Sequence, residues 1–366
     1  MDIVFRTDSS REIGTGHVMR CLTLANALKE KGCRTLFICR DFAGNIGGLV
    51  RDKGHEVVYL PQRQDGPEPD DSVPHAAWLG TSWQQDAKDT AAVLKAKFDR
   101  PVDWLIVDHY ALDARWEKSL RPYTKKIMVI DDLADRTHDC DLLLDQNLYE
   151  NMEKRYDGLV PPGAVKLLGP KYALLRPEFY RARQSLRQRD GTVRRILVFF
   201  GGSDPTNETL KALKAIKMLD RPDIAVDVVV GSSNPHKEEI AAFCQDMPQV
   251  TLHCQVDNMA VLMANADLAF GAGGTTTWER CCTGLPAVLL ILAENQGNIA
   301  RKLESIGAAI VLGKACAVRV EDLQATVQKL LNDAELVRSI SVKAFSLLDN
   351  TAGSNLVLDV VMKNYA

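Results

Sequence analysis

Met1–Arg20 reads MDIVFRTDSSREIGTGHVMR, and the order of its parts sets the expectation for the whole chain. Ile3 to Arg6 is a short apolar run that reads as a strand. It leads into the glycine-bearing loop Ile13-Gly14-Thr15-Gly16-His17, and a helical pattern runs from His17 to Lys29. Strand, glycine loop and helix in this order open a parallel α/β domain. The same plan returns at Ile196 to Phe200, followed by Gly201-Gly202-Ser203-Asp204. Two such openings predict an α/β chain of two Rossmann-like domains. In an open parallel sheet, ligands gather at the carboxyl ends of the strands, beside such loops and the positive N-termini of the following helices. Two sheets of this kind facing each other make a cleft.

Working outward, apolar runs alternate with helical patterns along the chain. In the first half the expected strands are Ile3 to Arg6, Thr35 to Cys39, Glu56 to Leu60, Trp104 to Asp108, Lys126 to Ile130 and Leu142 to Leu144. In the second they are Ile196 to Phe200, Val226 to Val230, Val250 to Cys254, Leu268 to Phe270, Ala287 to Leu290 and Ala309 to Val311. Gln62 to Pro74 has the Pro, Asp, Glu and Gly composition of a loop. A charged stretch, Arg181 to Arg194, separates the halves. The expected domains are 1–180 and 192–345. Beyond Val320 the pattern is helical, with Leu323, Val327, Leu330 and Leu331 at helical spacing. A last helix within 346–366 is expected to pack back on the first domain.

The chain has 366 residues, enough for two domains that each bury a core. A formal net charge of -3 is too balanced for a nucleic-acid footprint. The nine cysteines are scattered without a C-x-x-C pair, which argues for reduced, mostly buried thiols rather than disulfides or a zinc site. The N-terminus is charged from Asp2 and apolar for only three residues, so it does not read as a signal peptide. No window reaches the ~18 to 20 apolar residues of a membrane span. A cytoplasmic protein with a small-molecule partner, and neither nucleic acid nor membrane, is expected.

Five segments could carry chemistry, and most also have a structural reading. Gly14-Thr15-Gly16-His17 lacks the full pattern of a P-loop or dinucleotide fingerprint. Its glycines still let backbone approach an anion. It serves equally as a strand-to-helix turn. His17 stands apart from the other histidines, because a helix N-terminus and Arg20 one turn along both disfavour an imidazolium. A neutral imidazole is what a general base needs. Asp108-His109-Tyr110 ends an apolar strand, where functional side chains collect. His55, His75, His138, His236 and His253 show no such setting.

Gly271-Ala272-Gly273-Gly274-Thr275-Thr276-Thr277-Trp278-Glu279 follows a strand and opens a helix with three hydroxyls. Amides and hydroxyls there suit a diphosphate, and Glu279 could accept hydrogen bonds from ribose hydroxyls. Alternatively, Thr275 or Thr276 is an N-cap and Glu279 a first-turn acid. Gly202, Ser203 and Asp204 add small polar groups at the second domain's opening. Pro205 nearby is also capping grammar. Asn295 and Gln296 follow a strand and could read sugar hydroxyl or acetamido groups, while a helix cap explains Asn295 alone.

The motifs Asp8-Ser9-Ser10, Ile13 to Ala25, Gly201 to Asn207, Gly271 to Arg280 and Asn295-Gln296 resemble those of the UDP-2,4-diacetamido-2,4,6-trideoxy-β-L-altropyranose hydrolases of pseudaminic acid biosynthesis. Those enzymes are relatives of the MurG-like glycosyltransferases with the GT-B fold. The resemblance runs from the first strand to about Val311. It implies hydrolytic release of UDP with inversion at the anomeric carbon, and neither cofactor nor metal. It also implies His17 as the base, a UDP grip in the second domain, Glu279 on the ribose, and Asn295 and Gln296 facing the sugar. Gly14, Thr15, Gly16, Arg20, Asp108, Tyr110, Gly202, Ser203, Asp204, Gly274, Thr275 and Thr276 complete the expected binding set. Thr7 departs from the alanine commoner before Asp8, and extra length lies around Gln62 to Thr81, which leaves the exact sugar open. A UDP-sugar glycosyltransferase of the MurG kind and a non-catalytic nucleotide-sugar binding protein are the competing readings. The oligomeric state is open, with a monomer among the choices.

Overall fold

The computed structural model describes residues 1–61, 73–232 and 234–363. Most of the expected loop Gln62 to Pro74 therefore lies outside the described residues. The chain forms two compact units. The first comprises Met1–Asn147, Asn151–Leu174 and Ala352–Ala366, and the second comprises Leu148–Glu150 and Leu175–Thr351.

Seven parallel strands build the sheet of the first unit: β1 (Asp2–Thr7), β2 (Arg34–Arg40), β3 (Glu56–Leu60), β4 (Val102–Asp108), β5 (Thr124–Ile130), β6 (Leu142–Asp145) and β7 (Val165–Leu168). Their order is β3-β2-β1-β4-β5-β6-β7. In this register Val4 of β1 lies beside Leu36 on one side and Leu105 on the other. Side chains alternate across a strand, so near-continuous apolar runs mean that both faces are covered. Ile3, Phe5, Trp104, Ile106 and Met128 enter one apolar cluster, and Val4, Leu36, Leu105, Val107 and Ile127 enter the other. Helix Gly16–Glu30 covers the first face, and helix Gly353–Lys363 joins it there through Val357, Leu358 and Val361.

The second unit repeats the plan with β8 (Arg195–Phe199), β9 (Ala225–Val230), β10 (Val250–Cys254), β11 (Leu268–Ala272), β12 (Ala287–Ile291) and β13 (Ile310–Lys314), in the order β10-β9-β8-β11-β12-β13. Both sheets thus reverse direction beside their first strand, between β1 and β4 and between β8 and β11. Loops part to either side of such a switch point and leave room for a ligand.

Three differences from the sequence reading have physical causes. Strand β7 was not expected, since Val-Lys-Leu-Leu is a short edge segment with half-exposed side chains and little apolar signal. The first unit ends at Leu174 rather than near 180, because helix Pro177–Gln184 packs on helices Met259–Asn265 and Thr276–Cys282 of the second unit. The second unit runs on to Thr351, past the expected 345, and Ala352 begins the return to the first. Among the described residues no helix is long and apolar enough to cross a membrane.

Candidate active site

In the first unit the site is built where β1 and β4 end. Arg6, buried near the end of β1, forks onto Asp86 at 3.1 and 2.7 Å and reaches Asp8 at 2.7 Å. Arg40 of β2 joins the same Asp86 at 2.5 Å, and its backbone N–H donates to Asp8 at 2.6 Å. A fully buried charge is tolerated only when paired in this way. The pairs fix the start of the loop beyond β1. There Ser10 Oγ accepts from the amides of Glu12 and Ile13, and the Gly14 N–H donates to the Ser10 carbonyl at 2.9 Å. Gly14 sits at φ 77°, a left-handed conformation that glycine adopts freely. Thr15 is the N-cap of the helix without a side-chain cap bond, and Gly16 is its first residue.

His17 then faces Asp108, the last residue of β4. Its Nδ1 lies 2.6 Å from Asp108 Oδ1. Arg20 forks onto the same carboxylate at 2.6 and 2.7 Å, and Cys21 Sγ lies 3.5 Å from it. Burial alone would raise the Asp108 carboxyl, but Arg20 and then His17 outweigh it and hold the group well below the usual carboxylate range. A carboxylate 2.6 Å from Nδ1 demands a proton on that nitrogen, so in the neutral ring Nε2 carries the lone pair. Among the described residues nothing hydrogen-bonds Nε2. Arg20, which the sequence reading sets against a charged His17, lies with Nη2 3.2 Å from His17 Nδ1. In the structure Arg20 is matched by Asp108 and by Asp132 at 3.2 Å, and Asp108 is what orients the imidazole.

Tyr110 packs edge-on against His17 with ring centroids 4.5 Å apart, and its hydroxyl donates to Asp132 at 2.5 Å. Trp78 and His75 continue this aromatic group at 5.8 and 5.3 Å from Tyr110. His17, Arg20, Asp108 and Tyr110 are thus brought together, with Gly14, Thr15 and Gly16 leading into them. Asp132, His75 and Trp78 escaped the sequence reading. Asp132 follows the end of β5, a position the strand-end rule could have flagged. His75 and Trp78 carry no local signal that distinguishes them.

In the second unit Gly202 is exposed and Ser203 half-buried. Asp204, at φ 37°, turns both carboxylate oxygens onto helix amides, 3.0 Å to Glu208 N and 2.9 Å to Thr209 N. That engagement gives Asp204 a capping role, and the side chain is buried. Gly273 and Gly274 run beside Gln296: a methyl group on Gly273 would come within 3.4 Å of Gln296 Cβ. Gln296 Oε1 accepts from the Leu292 amide at 3.0 Å, so its NH₂ is the end left to bind. Asn295 is exposed at the helix start without a cap bond. Thr275 is the N-cap of helix Thr276–Cys282 and makes no side-chain cap either. Burial raises the Glu279 carboxyl, with Arg176 as its cationic neighbour at 3.5 Å. Arg176 too escaped the sequence reading, because a single arginine before Pro177 looks like an ordinary helix start. Gly202, Ser203 and Asp204 follow β8 while Gly274, Thr275, Thr276 and Glu279 follow β11, and these strands are hydrogen-bonded neighbours.

Two sheets in Rossmann order, each with its glycine loop at the switch point, define the GT-B fold of glycosyltransferases. The chain shares the GT-B fold of MurG. Residues 195–346 match the glycosyltransferase family 28 C-terminal domain. MurG of Acinetobacter baumannii superposes with a TM-score of 0.66 at 17% identity, covering 99% of this chain and all of that one. Among curated relatives, the UDP-2,4-diacetamido-2,4,6-trideoxy-beta-L-altropyranose hydrolase of Campylobacter jejuni is 25% identical over 264 residues, covering 72% of this chain and 81% of its own. The spore coat polysaccharide biosynthesis protein SpsG of Bacillus subtilis is 26% identical over 352 residues, covering 95% and 94%. An uncharacterized protein of Methanocaldococcus jannaschii is 26% identical over 81% of this chain, but the chain spans only 57% of its length.

Proposed function

We propose that the chain hydrolyses a UDP-linked diacetamido-trideoxy sugar to UDP and the free sugar, with His17 activating the water. The observation that carries this reading is the Asp108–His17 contact at 2.6 Å, which fixes the ring with Nε2 free to accept a proton. Water attacks the anomeric carbon as Nε2 takes its proton. The bond from that carbon to the UDP oxygen breaks, the electron pair leaves with UDP, and the imidazolium returns its proton to solvent. The leaving group is already stable as an anion, so one base and electrostatic stabilisation of UDP suffice. The Gly273-Gly274-Thr275-Thr276 loop, Gln296 and Glu279 of the second unit hold the nucleotide end in this account. The activity for which the Campylobacter relative is named supports the choice of sugar and of hydrolysis, and with it a place in pseudaminic acid biosynthesis.

One observation favours a second reading. The match of residues 195–346 to a glycosyltransferase domain fits transfer of the sugar to an acceptor other than water. His17→Asn separates the roles of the site. Under the proposal turnover falls by ~10²–10⁴-fold while UDP affinity, measured by calorimetry, is retained. Turnover at the wild-type rate removes His17 from the mechanism, and turnover that appears only with an added acceptor favours the transferase.

A further inference from the structure

Arg280 lies beneath the glycine-threonine loop of the second unit, fully buried, and has no carboxylate bonded to it among the described residues. Its Nη2 donates to the Ala272 carbonyl at 2.6 Å and to Thr277 Oγ1 at 3.1 Å, and its Nη1 donates to Thr276 Oγ1 at 3.2 Å. Glu279, next in sequence, has Arg176 as its ion-pair partner. Room for the guanidinium is made by Gly271, where a methyl group would come within 2.6 Å of Nη1. A buried cation without a bonded counter-ion is costly. Burial lowers its pKa to about 10, so it remains charged at neutral pH.

Guanidinium is a donor only. Both threonine hydroxyls therefore receive a hydrogen bond from Arg280 and must point their own hydrogens elsewhere. Neither hydroxyl hydrogen has an acceptor among the described residues. We propose that Arg280, anchored on the buried Thr277, is a positioning residue that sets the half-buried Thr276 as an outward hydrogen-bond donor, so that the diphosphate of the nucleotide docks on it. This deepens, and rests on, the reading of the second unit as the UDP grip. A donor polarised by a charged neighbour binds an anion more strongly than an ordinary hydroxyl does.

The test is calorimetry on the full chain with two probes, UDP and uridine, for wild type, Arg280→Met, Arg280→Lys and Thr276→Val. The proposal expects Arg280→Met to weaken UDP by roughly tenfold or more while uridine binding holds, since only UDP carries the anion. Lysine keeps the charge but cannot fork onto both hydroxyls, so Arg280→Lys loses part of that factor. Adding Thr276→Val to Arg280→Met should cost less than the two single losses summed. If Arg280→Met does not fold, the partial loss in Arg280→Lys and a UDP-selective loss in Thr276→Val carry the same prediction. Equal losses for UDP and uridine, or none, overturn the role of Arg280. A wild-type chain that binds neither probe overturns the UDP reading itself.

Discussion

Asp108 receives His17, both arms of Arg20 and the Cys21 thiol at once. Replacing it with asparagine offers an N–H to His17 Nδ1, moves the ring proton to Nε2 and removes the acceptor that the proposed mechanism needs. Asp108→Asn is therefore expected to lower kcat by ~10²-fold or more with little change in UDP affinity, read from steady-state kinetics and calorimetry. Asp145 makes a second residue-scale prediction. Burial, with Asp132 next, pushes its carboxyl up to about 8. Tyr156 Oη lies 3.0 Å from Asp131 Oδ2 and 3.1 Å from Asp145 Oδ2, so it can donate to the first and accept from a protonated second. The folded state holds a proton that the unfolded chain releases near pH ~4. Stability is then greatest below that pH and falls as pH rises towards 8. Asp145→Asn keeps the donor and should flatten this part of the Tm–pH curve; an unchanged slope would contradict the assignment. At this scale the sequence exposed His17, Arg20, Asp108 and Tyr110, because strand ends and helix starts mark them. It could not expose the engagement of Asp204 with helix amides, nor Asp132, His75 and Trp78, whose places depend on contacts distant in sequence.

The elements were legible where both sheet faces are covered, since buried strands such as Leu105 to Val107 are apolar throughout. Edge strand β7 was not, because four residues leave no pattern. Nor were the helix ends. The charged stretch Arg181 to Arg194 reads as a separator, yet Arg189 directs all its donors onto backbone carbonyls: Met263, Ala264 and Ala266 at the end of one helix, Thr283 and Gly284 at the end of another. Arg183 donates to the carbonyls of Cys282, Phe345 and Leu348 and to the side chain of Asn350, stacked 3.5 Å over Phe345. Cations at helix C-termini answer the dipole and its orphan carbonyls. Arg189→Met strands several buried acceptors and should destabilise the second unit by about 3 kcal/mol or more, measured by denaturant unfolding. A loss under about 0.5 kcal/mol, the range of an ordinary surface change, would refute this capping role.

At the level of the whole molecule, the first unit is not continuous in sequence. Helix Gly353–Lys363 returns to it, and Gly353 sits so close to Ala173 that a methyl group would come within 2.4 Å of the carbonyl. Val357, Leu358 and Val361 bury themselves in its core, each a contribution of roughly 1.5–3 kcal/mol. Ending the chain after Thr351 should therefore destabilise the unit that contains the N-terminus, with early proteolysis there while 195–346 stays protected. Loss of protection in 195–346 instead would contradict that division. The repeated strand, loop and helix openings made the two-domain plan readable, and the last helix, Gly353–Lys363, lies within the segment expected to return to the first domain. The central claim is hydrolysis at His17, and NMR of the full chain with UDP-2,4-diacetamido-2,4,6-trideoxy-β-L-altropyranose, without acceptor and with EDTA, tests it most directly. The account predicts equal release of UDP and free sugar by wild type and none by His17→Ala. A substrate that stays intact with folded, UDP-binding wild type, or is cleaved equally by the variant, would contradict it.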